Sequence, residues 1–308
     1  MSASTPIAVD VASVVDRVPE WRGRAVVVAP LPGGMTNQSY VVTVDGRRHV
    51  VRIPGDRTDL LGVDRANERH NTEVAARTGV GPRVTATLPD LPAMVVEFVE
   101  GRTLAASDLR VPGMPARLAR TLRLLHDGPR FLHDFDMFRL IDTYVAVAAT
   151  RDILLPPRYP ERLPLIRRLG AALALRRPPA VPCHNDLLAE NVIDDGRRLV
   201  LVDWEYSGNG DPTFELGNAC RELDYGDEHV AELALAYFGD ASPARLARIR
   251  LQMIASDAGW TLWAAIQATI SRIELDFHAY GAARWVRAEA DLDSPALGPW
   301  LDLVQHST

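Results

Sequence analysis

Cysteine is scarce: Cys183 and Cys220 are the only two in 308 residues. Their spacing fits no zinc or redox motif, and two thiols in so long a chain do not make a disulfide scaffold. Reduced thiols in a cytoplasmic protein are the expectation. Long apolar runs are lacking too. No stretch approaches the roughly 18–20 residues that cross a bilayer, and the opening MSASTPIAVDVASVV has neither the basic start nor the long apolar core of an export signal. Membrane insertion is therefore not expected. Positive charge is not in excess: 34 basic residues face 40 acidic ones, a formal net charge of −6. A nucleic-acid binder would present a basic stripe or patch, and none is visible. The balance does not bear on a small cationic substrate, because net charge is not pocket charge. Repeats and low-complexity linkers are missing as well. What remains, with 47% hydrophobic and 24% charged residues, is a globular chain with material for a sizeable core.

The texture of the chain changes near residue 100. Before it, apolar β-branched runs alternate with turn signals. AVVVA at 25–29 is followed by a break over Pro30–Gly34, then YVVTV, the pair Asp45-Gly46, and RHVVRI. Two alternating runs around Asp-Gly read as a hairpin with a two-residue turn. Asp64 to Thr78 is rich in helix formers and stopped by Gly79 and Pro82, and Ala93 to Val99 reads as a further strand. After Gly101 the spacing is helical over Met114–His126, Phe138–Thr150 and Pro160–Leu175. One β island follows, NVIDD and RLVLVDW around Asp195-Gly196. Helices are then expected over Thr213–Leu223, Glu228–Phe238 and Pro243 to about Leu292. The expected fold class is α+β and bilobal. A small antiparallel β-sheet lobe with one inserted helix spans 1–100, and a larger, mostly helical lobe spans 101–308. Ligands usually sit in the cleft between such lobes.

Three segments carry chemistry. The first is PCHNDLLAENVI followed by LVLVDWEY. Phosphoryl transfer needs a carboxylate to orient the attacking hydroxyl and take its proton, and oxygen ligands for Mg²⁺ bridging the phosphates. Asp186 suits the first task, Asn191 and Asp203 the second. Glu205 points to the same side of an extended segment as Asp203, placed for a second metal. His184 reads as a structural brace. The second segment is LPGGMTNQSYVVTV, in which Gly33 and Gly34 form a turn through which backbone amides approach phosphates. It is not a GxGxxG pattern, and alone it fits an ordinary hairpin equally well. Arg52, on the next strand, stands where a protein kinase has its phosphate-binding lysine, and Glu68 is spaced to pair with it. Alone, that pair also fits a surface ion pair worth about 0–1 kcal/mol. The third segment is GWTLWAAIQATISRIELDFHAY. Trp260, Trp263, Gln267, Ser271 and Glu274 fall on one face of a continuous helix, with Tyr280 beyond. Aromatic stripes are usually core, but Gln, Ser and Glu on the same face fit an aromatic pocket for an alkylammonium group better.

GGMTN, VVRIPG, NERHN, HNDLLAEN, VDWEY and W-x-x-W-x-x-x-Q together resemble the choline/ethanolamine kinase family, within the aminoglycoside-phosphotransferase-like kinases of protein-kinase-like fold. The resemblance spans about Leu31 to Ala290. It implies Asp186 as catalytic base, with Asn191, Asp203 and Glu205 holding Mg²⁺. Gly33, Gly34, Thr36 and Asn37 would cover the phosphates of ATP, and Arg52 with Glu68 would hold them from below. Backbone groups of Glu97 and Val99 would meet adenine. Trp260, Trp263 and Tyr280 would wall the amine pocket, joined by Tyr225 and Glu222. The chain departs from the family at Glu215, where Asp is common and a brace for the catalytic loop is expected, and in a short RELDYGDEH segment. DWE stands where protein kinases have DFG, and no APE follows, which disfavours a protein substrate. The expected activity is ATP-dependent phosphorylation of an amino alcohol, choline or ethanolamine. A kinase for an aminoglycoside, thiamine or another amine-bearing alcohol is the nearest alternative, and a non-catalytic nucleotide- or amine-binding module a more distant one. The oligomeric state is left open, a homodimer included.

Overall fold

The computed structural model describes residues 10–55, 57–88 and 90–306. Strands β1 (Val26–Leu31), β2 (Asn37–Val44) and β3 (Arg47–Pro54) form a meander, completed by β4 (Val84–Thr87) and β5 (Met94–Glu97). The sheet is five-stranded and antiparallel, in the order β1-β2-β3-β5-β4. Asp45 and Gly46 turn the β2–β3 hairpin with φ of 48° and 80°, the positive pair that a twist-matched two-residue turn requires. Pro30 sits on edge strand β1, where its missing N–H costs no ladder bond.

Two short pieces not expected from sequence precede the sheet, α1 (Val11–Arg17) and a 3-10 turn at Pro19–Trp21. Their Val14, Val18 and Trp21 join Val42, Val44, Val51 and Ile53 in a core on one sheet face. Alternation sends Arg52, between Val51 and Ile53, to the opposite face. There it meets helix α2 (Arg65–Thr78). Asp64 caps α2 by accepting from the Ala66 and Asn67 amides, and Gly79 ends it at φ 79°.

Beyond β5 the chain passes through β6 (Arg102–Thr103) and α3 (Ala106–Leu109). The helices α4 (Met114–His126), α5 (Met137–Thr150) and α6 (Tyr159–Ala174) follow. Strands β7 (Val181–Cys183), β8 (Val192–Asp194), β9 (Leu199–Leu201) and β10 (Gly208–Gly210) then make the β island. β6-β8-β9 form one small sheet and β10-β7 a ribbon. The lobe closes with α7 (Pro212–Glu222), α8 (Asp227–Phe238), α9 (Pro243–Ile270), α10 (Phe277–Leu292) and α11 (Leu297–His306). No helix among the described residues is long and apolar enough to cross a membrane.

The single helix expected from Pro243 to about Leu292 is therefore two. Local side-chain bonds break it: Ser271 Oγ accepts from the Ile273 amide at 3.1 Å, and Asp276 caps α10 by accepting from the Ala279 amide at 2.9 Å. These residues offer the backbone an alternative to the helical ladder. α10 then folds back on α9 so closely that a Cβ on Gly281 would lie 2.9 Å from Ala264 Cβ.

The loop from β7 to β8 is held from beneath by α7. Glu215 Oε1 accepts from the His184 amide at 2.6 Å and the Asn185 amide at 3.0 Å. Its Oε2 meets His126 Nε2, and His126 Nδ1 lies 2.5 Å from the Tyr237 hydroxyl. Asn218 Oδ1 accepts from the Leu187 amide at 2.8 Å. Burial alone would raise the Glu215 carboxyl, yet the bonds from His126 and the loop hold it below the usual glutamate value.

Two outcomes test this framework by urea denaturation. A Cβ on Gly217 would meet Gln252 Cβ at 2.8 Å and the Met253 amide nitrogen at 2.9 Å. Gly217→Ala should therefore force α7 from α9 and cost about 1–3 kcal/mol. Glu215→Ala should cost about 3–5 kcal/mol at neutral pH, since it strands the loop amides and His126. The folded state binds the Glu215 proton less tightly than the unfolded chain. Its contribution is thus complete above the ordinary value of 4.5 and is lost as pH falls through the lower folded value. The variant's stability should accordingly fall less steeply than wild type on acidification below about pH 5.

Candidate active site

A cleft of about 740 Å³ opens between the glycine-bearing turn before β2, the loop after β7, the segment Asp203–Tyr206, α9, the 273–275 loop and α10. Five carboxylates line it: Asp186, Glu190, Asp203, Glu205 and Glu274. So do five aromatic side chains: Tyr40, Tyr206, Trp260, Trp263 and Tyr280. Among the described residues no Arg, Lys or His faces this space. The cations stand behind the wall, and all are arginine, since the chain contains no lysine.

Arg52 bridges Asp203 and Glu68, with Nη2 on Asp203 Oδ1 and Nη1 3.0 Å from Glu68 Oε1. Burial works against its charge, but Asp203 and Glu68 keep it firmly cationic. Arg65 extends the chain of pairs, 2.7 Å from Glu68 Oε2 and 3.1 Å from Glu205 Oε2. Glu205 is buried and fully engaged. Its Oε1 accepts from Thr36 Oγ1 at 2.6 Å, and its Oε2 accepts from Asn37 Nδ2 at 3.0 Å as well as from Arg65. Burial first, and Asp203 second, push its carboxyl up to about 7. The sequence thus brings Gly33, Gly34, Thr36 and Asn37 onto the cleft as a turn clamped to Glu205. Gly33 and Gly34 have φ of 105° and 90°, open only to glycine.

Asp186 is raised well above the ordinary carboxyl range, by burial and then by Glu222, Asp203 and Glu205. Asn191 Nδ2 donates to the Asp186 carbonyl at 2.9 Å, which leaves its Oδ1 without a partner among the described residues. His184 has no place in the cleft. Burial lowers its pKa, its Nδ1 accepts from the Asp186 amide at 3.3 Å, and its Nε2–H donates to the Val202 carbonyl at 2.9 Å. Asn185 and Asp203 both hold left-handed backbone, φ 68° and 69°, conformations that persist only where surroundings over-determine them.

On the aromatic side, Trp263 Nε1 donates to Tyr206 Oη at 2.7 Å. Tyr206 meets Trp260 edge-on at 4.8 Å, and Trp263 lies 5.8 Å from Tyr280. Glu222 stands behind Tyr280, gripped by Arg284 through two bonds of 2.8 and 2.6 Å, with the same guanidinium 4.4 Å over the Tyr280 ring. Ser271 and Glu274 do not share the helix face expected for them; Glu274 reaches the cleft from the loop instead. Tyr225 is not at the cleft. Its hydroxyl donates to the Leu109 carbonyl at 2.9 Å and its ring stacks on His229, because the short segment after α7 turns straight into α8. Glu97 and Val99 lie outside the lined space, at the exit of β5. The Glu97 carboxylate pairs outward with Arg83 at 2.8 Å.

Sequence reasoning missed Arg65, Tyr206 and Arg284. Each had a faint signal: Arg65 is three residues before Glu68, Arg284 four after Tyr280, and Tyr206 beside Glu205. The oxygen-only set of Asn191 Oδ1 and the free Asp203 oxygen suits a hard dication. A second group with ligand-like spacing, His126, Cys183 and Glu215, is the brace under the loop. Its members are spent on hydrogen bonds, and burial keeps the Cys183 thiol protonated.

Comparison with known proteins agrees with this geometry. Residues 27–251 match the family described as Phosphotransferase enzyme family. A choline/ethanolamine kinase family protein of Mesorhizobium loti superposes with a TM-score of 0.82 at 34% identity, covering 94% of this chain and 96% of that one. Ethanolamine kinase 2 of Mus musculus is 28% identical over 300 residues, covering 87% of this chain and 76% of its own length. Choline kinase LicA of Streptococcus pneumoniae shares the fold, with a TM-score of 0.78 at 24% identity over 91% of this chain and 97% of that one. The chain belongs to the phosphotransferase enzyme family, within its choline/ethanolamine kinase branch of protein-kinase-like fold, and is an ATP-dependent phosphotransferase with an alcohol as acceptor.

Proposed function

We propose that the protein transfers the γ-phosphoryl group of ATP to the hydroxyl of choline or ethanolamine with Mg²⁺. One observation carries the reading: a cleft walled by five carboxylates and five aromatic rings, with no basic side chain on its surface. Such a wall must be neutralised by what enters it, and a divalent ion together with a compact ammonium does so.

Asn191 and Asp203 would hold the metal, which when bound would supply neutralisation of phosphate charge. Glu205 would join only by giving up Thr36, Asn37 and Arg65. The amides of the Gly33–Asn37 turn cover the phosphates from above, and Arg52, fixed by Asp203 and Glu68, supports them from the sheet side. Backbone groups of Glu97 and Val99, beyond the lined cleft at the exit of β5, would meet adenine. Asp186 orders the acceptor hydroxyl and receives its proton. Its raised affinity for a proton suits that task, and the arriving cations draw it back toward ionisation. Most of the acceleration is then positioning and electrostatics.

Trp260, Trp263, Tyr206 and Tyr280 wall the ammonium site. Glu222 is gripped by Arg284 and does not line the cleft, so it is not placed to receive a primary ammonium. Aromatic faces suit a methylated ammonium, which favours choline. Glu190 and Glu274 are the cleft carboxylates left to recruit ethanolamine.

Release of ADP with Mg·ATP and each amine is the direct assay; no turnover with either amine would overturn the reading. Asp186→Asn should lower kcat by about 10²–10⁴-fold with the fold intact. Asp203→Ala should abolish turnover at any Mg²⁺ concentration. Trp263→Phe should raise the KM for the amine by about 2- to 30-fold, the equivalent of 0.5–2 kcal/mol of cation–π contact, with kcat little changed.

A further inference from the structure

The turn over the phosphate site is fastened to the helical lobe at two places. Thr36 and Asn37 grip Glu205, as described. The second fastening comes from Gln267, whose Nε2 donates to the Met35 carbonyl at 2.9 Å. No other described residue donates to that carbonyl.

Gln267 lies one helical turn beyond Trp263 and three residues before α9 ends at Ile270. Its side chain is 3% exposed. The segment that follows, Ile273 to Leu275, lines the same cleft. The end of α9 therefore lies between two parts of the cleft wall, Trp260 with Trp263 and Ile273–Leu275, and its last buried polar side chain reaches across to the nucleotide cover. A trans peptide is planar, so fixing the Met35 carbonyl also fixes the aim of the Thr36 amide. That amide has no partner among the described residues, while the Thr36 carbonyl is taken by the Gly55 amide at 2.9 Å. One side chain thus sets the attitude of a peptide whose N–H is left free for a ligand.

We infer that Gln267 is a positioning residue that couples the two halves of the site: an amine resting on Trp260 and Trp263 steadies the end of α9, Gln267 with it, and through the Met35 carbonyl the turn over the nucleotide. The inference rests on the assignment of that turn to phosphate and of the tryptophans to the amine. A tie that merely joined the lobes would alter stability without linking the two ligands. A coupling tie makes each ligand tighten the other by the same factor.

The test is calorimetric titration of a non-hydrolysable ATP analogue with Mg²⁺, without and with saturating choline. Wild type should bind the analogue at least about 5-fold more tightly with choline present. Gln267→Met keeps the volume and removes the donor, and the ratio should fall to about one, with the Kd for choline alone within about 3-fold of wild type. The KM for ATP should rise, with kcat at saturation of both substrates largely kept. Gln267→Glu, which carries no donor once ionised, should behave alike and gives the reading if the Met variant fails to fold by circular dichroism. A wild-type ratio near one, or a ratio retained in the variants, overturns the inference. Turnover of the wild type separates the cases: absent turnover sinks the functional assignment itself, whereas turnover with an unchanged ratio sinks only the role of Gln267.

Discussion

Carboxylates crowded into one cleft repel each other and resist leaving water, and this constraint organises the molecule. Burial, and then Glu222, Asp203 and Glu205, raise the proton affinity of Asp186, and burial with Asp203 raises that of Glu205. Burying such a group unpaired is costly. The chain answers with guanidinium groups placed behind the wall and not on it. Arg52 and Arg65 run through Glu68, Asp203 and Glu205 on one side, and Arg284 closes on Glu222 on the other. This arrangement leaves the face of the cleft acidic while the interior behind it is close to balanced. An attraction for cations is thereby built into the resting fold.

Holding those groups in place falls to the helices beneath. The loop that carries Asp186 and Asn191 has few ladder bonds of its own, so its amides at His184, Asn185 and Leu187 are met by Glu215 and Asn218 on α7. α7 in turn packs on α9 through Gly217, and α9 carries both tryptophans. The loop that carries Asp186 and the helix that carries the tryptophans therefore share one rigid support, which limits their relative drift. The left-handed backbone at Asn185 and Asp203 is the local strain this support sustains.

The parts legible in the sequence are those whose cause is local. Asp64 and Gly79 bracket α2 because a side-chain cap and a positive-φ stop act within a turn of the chain. Asp45-Gly46 fixes the hairpin for the same reason. Asp186, Asn191 and Asp203 were legible as one cluster on the cleft because they lie within 18 positions on one loop and hairpin. The break at Ser271–Asp276 is local too, but strong helix formers on both sides hid it, and two side-chain oxygens decide it. Arg284 on Glu222 and Arg65 on Glu205 were hidden differently: the partners are 62 and 140 residues apart, and only packing brings them together. Tyr225 misled because its aromatic type suited the pocket, whereas the tight α7–α8 connection turns it toward Leu109. α1 was missed because a seven-residue helix is stable only against the sheet it covers.

The choice of arginine at position 52 follows from the same geometry. A lysine there would offer a compact point charge to one carboxylate at a time. Arg52 sends one amino group to Glu68 and the other to Asp203, so a single planar group ties α2 to the segment that would carry the metal. The fixing of Arg52 and the alignment of Asp203 are then one interaction. Arg65 repeats the pattern between Glu68 and Glu205, and Glu205 passes it to Thr36 and Asn37 in the turn. The glycine-bearing turn is thus joined to the acidic cluster through shared side chains, and movement of the turn away from the cleft must break hydrogen bonds to a carboxylate, which are stronger than neutral ones. In a chain without lysine, that continuity depends on the forked shape of guanidinium as much as on its charge.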